Sequence, residues 1–172
     1  MGWEAVIDDL HALYEGAGLA SIVKNPAPMK PVGKAKKGVF PAVYLGEGPP
    51  DYTVVCKGGC YILDAKDHAG TRWPLDKLPD HQAARFGAHT RQGGWAGVLL
   101  RLPAGIWLLP WERRAGSGLR PAWERWRAGA AAHGDASLTP AACDAMGMRL
   151  RSADWLTAAS ILFAEVPLTR PG

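Results

Sequence analysis

The stretch from Asp51 to Lys66 constrains this chain more than any other. Tyr52-Thr53-Val54-Val55-Cys56 is rich in β-branched and aromatic residues, Cys60-Tyr61-Ile62-Leu63-Asp64-Ala65-Lys66 is a second such run, and Gly58-Gly59 between them tolerates positive φ. The pattern predicts a β-hairpin closed by a two-residue turn. With Gly58 and Gly59 as that turn, Lys57 pairs with Cys60, Val55 with Ile62, Thr53 with Asp64 and Asp51 with Lys66, and opposed residues share one face of the sheet. Asp51, Asp64 and Lys66 then stand together, with opposed Cβ atoms roughly 5 Å apart and diagonal ones roughly 7–8 Å. Two carboxylates at that spacing suit a hard cation such as Mg²⁺, which completes its shell with water and phosphate oxygens. The same residues also read as an exposed ion-pair ladder on a surface hairpin, and the hairpin alone leaves both readings open.

The chain just before it carries the charge. Between Lys24 and Lys37 there are five lysines and no acid, interleaved with Pro26, Pro28, Pro31 and Gly33. That composition predicts a loop, and a basic, proline-stiffened loop beside such a hairpin suits a phosphate backbone, a solvated linker being the alternative. Overall, 20 Lys and Arg stand against 16 Asp and Glu, a net +4 that is mild for a nucleic-acid binder, so the local run matters more than the sum.

At 172 residues, 48% of them hydrophobic, the chain is long enough for one α/β domain with a real core. Three cysteines, with no secretory leader and no long apolar span, lead us to expect a reducing cytoplasm and no membrane association. Cys56 and Cys60 fall on opposite faces of the hairpin and lack the four convergent ligands of a structural zinc site. Residues 3–16 place Trp3, Ile7, Leu10 and Tyr14 at helical spacing, with Glu4, Asp8, His11 and Glu15 as a second row that reads as solvated. Leu19 to Val23 and Phe40 to Leu45 read as strands, and Pro49-Pro50 delivers Asp51 in extended conformation. Asp80 is the expected N-cap of a helix from about His81 to Gln92, which places Gln82 in its first turn near the end of the Asp64 strand. His81 reads as a surface or packing residue. Trp95 to Leu102 and Ile106 to Leu109 complete the sheet as a hairpin. Farther on, Arg113, Arg114, Arg120, Arg125 and Arg127 surround Trp123 and Trp126. Such a mixture either tracks a nucleic acid or packs on the domain, and the i, i+3 tryptophans favour packing. Ser152 is the expected cap of a last helix, to about Glu165, that is apolar almost all round.

Several of these pieces occur in the order and at about the spacing of a known family. GLASIVKNPAPMKPV (18–32), PDYTVVCKGGCYILDAKD (50–67), TRWPLDKLPDHQ (71–82) and GGWAGVLLRL (93–102) resemble the RecU-like Holliday junction resolvases of the PD-(D/E)xK nuclease superfamily, over roughly residues 2–111. The compact form is also similar to the archaeal junction resolvases. Two departures stand out: the usual acidic residue of the E-x-K element is Asp64, one methylene shorter than glutamate, and the first helix starts almost at Met1, without the extension common in bacterial members.

The resemblance implies a restriction-endonuclease-like α/β core, a central mixed β-sheet flanked by helices. It implies a nuclease core over residues 1–112, with a basic loop at 24–38, and a helical extension over 113–172 packed on the same domain. Asp51, Asp64 and the Ala65 carbonyl would hold Mg²⁺, with Mn²⁺ as a substitute. Lys66 would orient the attacking water or stabilise transition-state charge, and Glu4 and Gln82 would complete the positioning. Lys24, Lys30, Lys34, Lys36 and Lys37 would contact DNA, in a region that forms a projecting stalk in the family. The implied activity is metal-dependent hydrolysis of four-way junctions by a homodimer, leaving 5′-phosphates at paired symmetric nicks. The alternatives are a repair- or restriction-type nuclease of the same fold and a junction-binding protein that does not cleave.

Overall fold

Trp95–Leu102 is apolar at nearly every position, the pattern of a strand covered on both faces. In the computed structural model, which describes residues 2–113, 117–129 and 136–164, it lies within a six-stranded mixed sheet. Arg114 and Glu165 fall outside the described residues. In chain order the elements begin with α1 (Trp3–Gly16), β1 (Ser21–Lys24), β2 (Met29–Pro31), β3 (Ala42–Tyr44), β4 (Tyr52–Cys56) and β5 (Gly59–Asp67). After β6 (Trp73–Pro74) and one 3₁₀ turn come α2 (Asp80–Arg91), β7 (Trp95–Leu102) and β8 (Gly105–Pro110). The described remainder holds α3 (Leu119–Arg127), β9 (Ser137–Leu138), α4 (Pro140–Met146), β10 (Met148–Leu150) and α5 (Trp155–Ala164). The sheet order is β1-β4-β5-β7-β8-β10, with β5 and β7 parallel and the other neighbours antiparallel. This is the expected α/β class, a mixed sheet with helices on both sides.

Each face has its own core. Ile62, Val98, Leu100, Trp107 and Leu109 pack with Phe86 of α2 and with Leu119 and Cys143 of α3 and α4. On the other side Tyr52, Val54, Leu63, Leu99 and Leu108 pack with Trp3, Ile7 and Tyr14 of α1 and with Trp155, Ala159 and Leu162 of α5. The segment after residue 113 therefore supplies walls to both cores and, through β10, the outermost strand beside β8, so it is not helical throughout.

The hairpin forms, but its turn is Lys57-Gly58 rather than Gly58-Gly59, with φ of 45° and 78°. Val55 consequently pairs with Cys60 and Thr53 with Ile62, which corrects the expected register by two residues. The reason lies at Gly59: a Cβ there would meet Tyr61 Oη at 2.7 Å, so the glycine makes room for the tyrosine ring and leaves the left-handed turn to its neighbours. Lys57 tolerates that conformation at a cost of about 1–2 kcal/mol. A two-residue slide preserves the faces. Asp51 and Asp64 remain on the α2 side of the sheet, but Asp51 now lies across from Asp64 instead of Lys66.

Four other local expectations change. His11 belongs to the buried side of α1 with Trp3, Ile7 and Tyr14, because Trp155 Nε1 donates to its Nε2 at 2.9 Å and the Tyr52 ring meets it edge-on at 4.6 Å. The cap of α5 is Asp154, which accepts from Thr157 N and Oγ1 at 3.4 and 3.0 Å, while Ser152 Oγ accepts from Asp154 N at 3.3 Å. Asp80 is already inside α2, after Pro79, and pairs with Arg127. The lysine-rich stretch is not all loop: its β2 pairs with β3, and among the described residues the two join no other strand and form a two-stranded arm.

Candidate active site

The start of β4 sets the first carboxylate. Asn25, just past β1, donates its side-chain amide to Pro50 O at 2.7 Å and Thr53 Oγ1 at 3.0 Å, and its backbone N–H to Asp51 O at 2.7 Å. Three bonds from one residue thus hold the Pro50–Thr53 entrance. Asp51 Oδ2 in turn accepts from Ala65 N at 2.8 Å, which fixes this carboxylate against β5, within hydrogen-bond reach of Asp64. Asn25 was not singled out from sequence; its only signal is an amide side chain at the junction of a strand and a proline run.

Asp64 is fully buried on the face that α2 covers. Its Oδ1 accepts from Gln82 Nε2 at 2.8 Å, and its Oδ2 lies 2.5 Å from Lys66 Nζ. Lys66 Nζ also donates to Gln82 Oε1 at 3.2 Å. The glutamine therefore has one workable orientation, amide nitrogen to the carboxylate and amide oxygen to the ammonium. Burial pushes the Asp64 carboxyl up to about 6; the Lys66 charge opposes this and Asp51 adds to it.

The oxygens gathered here are of the kind a hard cation prefers. Asp64 Oδ2 is buried with no aligned hydrogen-bond donor, so the ammonium is its only charge compensation and a lone pair stays available. Asp51, Asp64 and the Ala65 carbonyl form an all-oxygen donor set. Among the described residues no group of three or more His, Cys, Asp and Glu gathers, so a divalent ion here needs water and phosphate oxygens to fill its shell.

The other expected residues lie around this centre. Glu4 is exposed on α1, across β4 from the cluster, where Lys24 Nζ approaches its carboxylate at 3.4 Å and that of Asp8 at 2.6 Å. Asp8 also accepts from Tyr52 Oη at 2.8 Å, which ties α1 to the residue that follows Asp51. Glu4 is thus brought near the site's rim, not into the contacts among Asp51, Asp64, Lys66 and Gln82. Lys30, Lys34, Lys36 and Lys37 are exposed on the arm, and among the described residues no acid pairs with them. His81 Nδ1 lies 3.3 Å from Glu47, outside the cluster. Cys56 and Cys60 point to opposite faces and do not share a site. Trp123 and Trp126 pack: Trp123 Nε1 donates to Leu78 O at 3.1 Å, and Arg127 lies over both rings. No described helix is long and apolar enough to cross a membrane.

The solved structure of Hjc, a Holliday junction resolvase from the hyperthermophilic archaeon Archaeoglobus fulgidus, matches with 16% identity and a TM-score of 0.44, over 85% of this chain and 94% of that one. No curated protein sequence matches. The family model for Recombination protein U matches residues 1–113, which hold every residue of the cluster. The chain therefore belongs to the Recombination protein U (RecU) family of Holliday junction resolvases, which are endonucleases that depend on a divalent metal.

Proposed function

We propose that this chain cuts four-way DNA junctions as a homodimer, one strand per subunit, with Mg²⁺ bound or Mn²⁺ in its place, and leaves 5′-phosphates at symmetric nicks. The observation that carries this reading is the buried cluster of Asp64, Lys66 and Gln82 beside Asp51. Asp51, Asp64 and the Ala65 carbonyl would hold the ion, which supplies charge neutralisation at the phosphate and a bound water of lowered pKa.

The remaining chemistry belongs to side chains. Asp64 is costly to ionise where it sits, so a cation beside it recovers energy that the folded protein otherwise spends on burying a charge. Lys66, about one-fifth exposed, is the group that can turn from the carboxylate to an arriving phosphate and meet the negative charge that grows in the transition state. Gln82 couples the two, since the amide that steadies Asp64 also receives Lys66. Glu4 would act from the rim, orienting a water once phosphate competes for Lys24. The arm lysines Lys30, Lys34, Lys36 and Lys37 would hold the junction backbone, with Lys24 at the arm's base. A homodimer follows from the substrate, whose two-fold symmetry is matched by a two-fold pair of sites.

The test is cleavage of a labelled synthetic four-way junction, a linear duplex of the same sequence and a flap, each with Mg²⁺ or with chelator. Paired nicks near the branch, made only with metal, are expected. Equal cutting of all three substrates would replace this reading with a general nuclease, and tight metal-independent junction binding without cuts would replace it with a binding protein.

A further inference from the structure

Helix α2 does not cover the whole face on which the cluster lies. It packs over β7, and on the same face Val23 and Val55, at the β1 and β4 end of the sheet, remain 57% and 49% exposed. Between that bare face and the flank of α2 runs a groove of about 570 Å³, within the roughly 300–1,000 Å³ range of sites that hold small ligands. Its lining extends from Pro49 and Pro50, immediately before Asp51, to Gln92. Along it lie Asn25, Thr53, Arg85, His89 and Gln92.

Three properties of this groove agree on an occupant. Among the described residues its lining includes Arg85 and no carboxylate, a charge balance that suits an anion. Arg85 is exposed, and among the described residues no acid pairs with it. It follows Gln82 by one helical turn, which places both on the same side of α2. The wall around it is low: Ala84 and Ala88 are the neighbouring lining residues, leaving room for a backbone to approach the helix. Asn25 and His89 are already engaged, by Pro50 O and Thr53 Oγ1 and by Cys60 O, so they shape the groove while Arg85 and Gln92 keep donors to offer.

We propose that this groove receives the DNA strand on one side of the scissile phosphate, with Arg85 holding a flanking phosphate and Gln92 donating to the next sugar or phosphate. The proposal rests on the resolvase reading and adds to it a strand track with a direction, from Asp51 along α2. Arg85 is a positioning residue in this arrangement: it anchors the strand so that the phosphate to be cut stays at Asp64 and Lys66. A guanidinium serves better than an ammonium, because its planar fork can take two phosphate oxygens at once.

The test is a phosphate scan. Junctions with a neutral methylphosphonate at single positions on each side of the cut are cleaved in single turnover by wild-type protein and by Arg85→Ala. One flanking methylphosphonate, within about two nucleotides of the cut, should slow the wild type about tenfold. Arg85→Ala should be about tenfold slower on the unmodified junction and indifferent to that same substitution, with Arg85→Lys in between. A variant that cuts at the wild-type rate, or that loses a further tenfold at the same methylphosphonate, overturns the proposal. So does a change in sedimentation for Arg85→Ala, which would assign the groove to a protein contact. If wild-type protein binds junctions without cutting them, the resolvase reading fails, and the same scan read by binding affinity still decides the groove.

Discussion

The buried carboxylate at Asp64 is a stability cost that should be measurable without any substrate. In the metal-free protein its ionisation is displaced from the ordinary 3.8 to about 6, led by burial. At about 1.4 kcal/mol per tenfold, that displacement is worth about 3 kcal/mol. The folded state binds the proton more tightly than the unfolded chain does, so this contribution is fully present below about pH 4 and is lost as pH rises through about 6. Asp64→Asn removes the ionisation, keeps a side chain of the same shape and retains an oxygen for Gln82. Its cost is an amide facing Lys66, which is free to swing outward. The variant should therefore be more stable than wild type by about 1–3 kcal/mol at pH 8, and by close to nothing at pH 4. His11 complicates a single-protein titration, because burial depresses its pKa from 6.5 to about 4 and makes stability fall with falling pH over nearly the same window. Subtracting variant from wild type cancels that histidine. The assay is urea unfolding in chelator at pH 4, 6 and 8, with cleavage measured in parallel and expected to vanish. A stability difference independent of pH, or one that favours wild type at pH 8, would refute the claim that Asp64 is strained by its own charge.

Three further outcomes follow from the same structure. Lys66→Met should lower the single-turnover cleavage rate by about 10²-fold or more while junction affinity changes little, and a comparable fall in affinity would mean that Lys66 serves mainly to bind. Replacing Lys34, Lys36 and Lys37 together by alanine should flatten the slope of log K against log salt by about 2.7, and an unchanged slope would remove the arm tip from the interface. Gly97→Ala should destabilise the fold by about 1–3 kcal/mol, because the added Cβ would lie 2.6 Å from the Leu109 carbonyl oxygen on the neighbouring strand; an unchanged urea midpoint would show that β7 and β8 can spread.

The two carboxylates, the lysine and the glutamine were legible because each depends on periodicity or on a short offset. Alternation along β5 places Asp64 and Lys66 on one face whatever the turn, and a helix starting near residue 80 brings Gln82 to that face. The register was less accessible, since Lys57-Gly58 and Gly58-Gly59 are both plausible turns, and the choice rests on the Tyr61 ring lying against Gly59. By sequence His11 reads as solvated, because its polarity matches the acids on its helix, whereas its place depends on Trp155, more than a hundred residues away. The arm reads by sequence as a loop followed by a strand, because prolines mask the three residues of β2 that pair with β3. Asn25 acts through contacts to a segment some 25 residues downstream, and no local pattern reports such contacts.

The outermost strand of the main sheet, Met148–Leu150, comes from beyond the part of the chain that matches the family model. Trp107, in the strand it covers, donates its indole N–H to Asp144 at 2.7 Å, and the Arg149 guanidinium lies 5.2 Å from the Trp107 ring. Cutting the chain after residue 113 would strip β8 of its outer neighbour and expose an apolar edge, ready to pair with another molecule. The stretch recognisable by ancestry is therefore shorter than the stretch that folds, and an expression boundary drawn at the end of the homology would keep every residue of the cluster and still yield an aggregating protein.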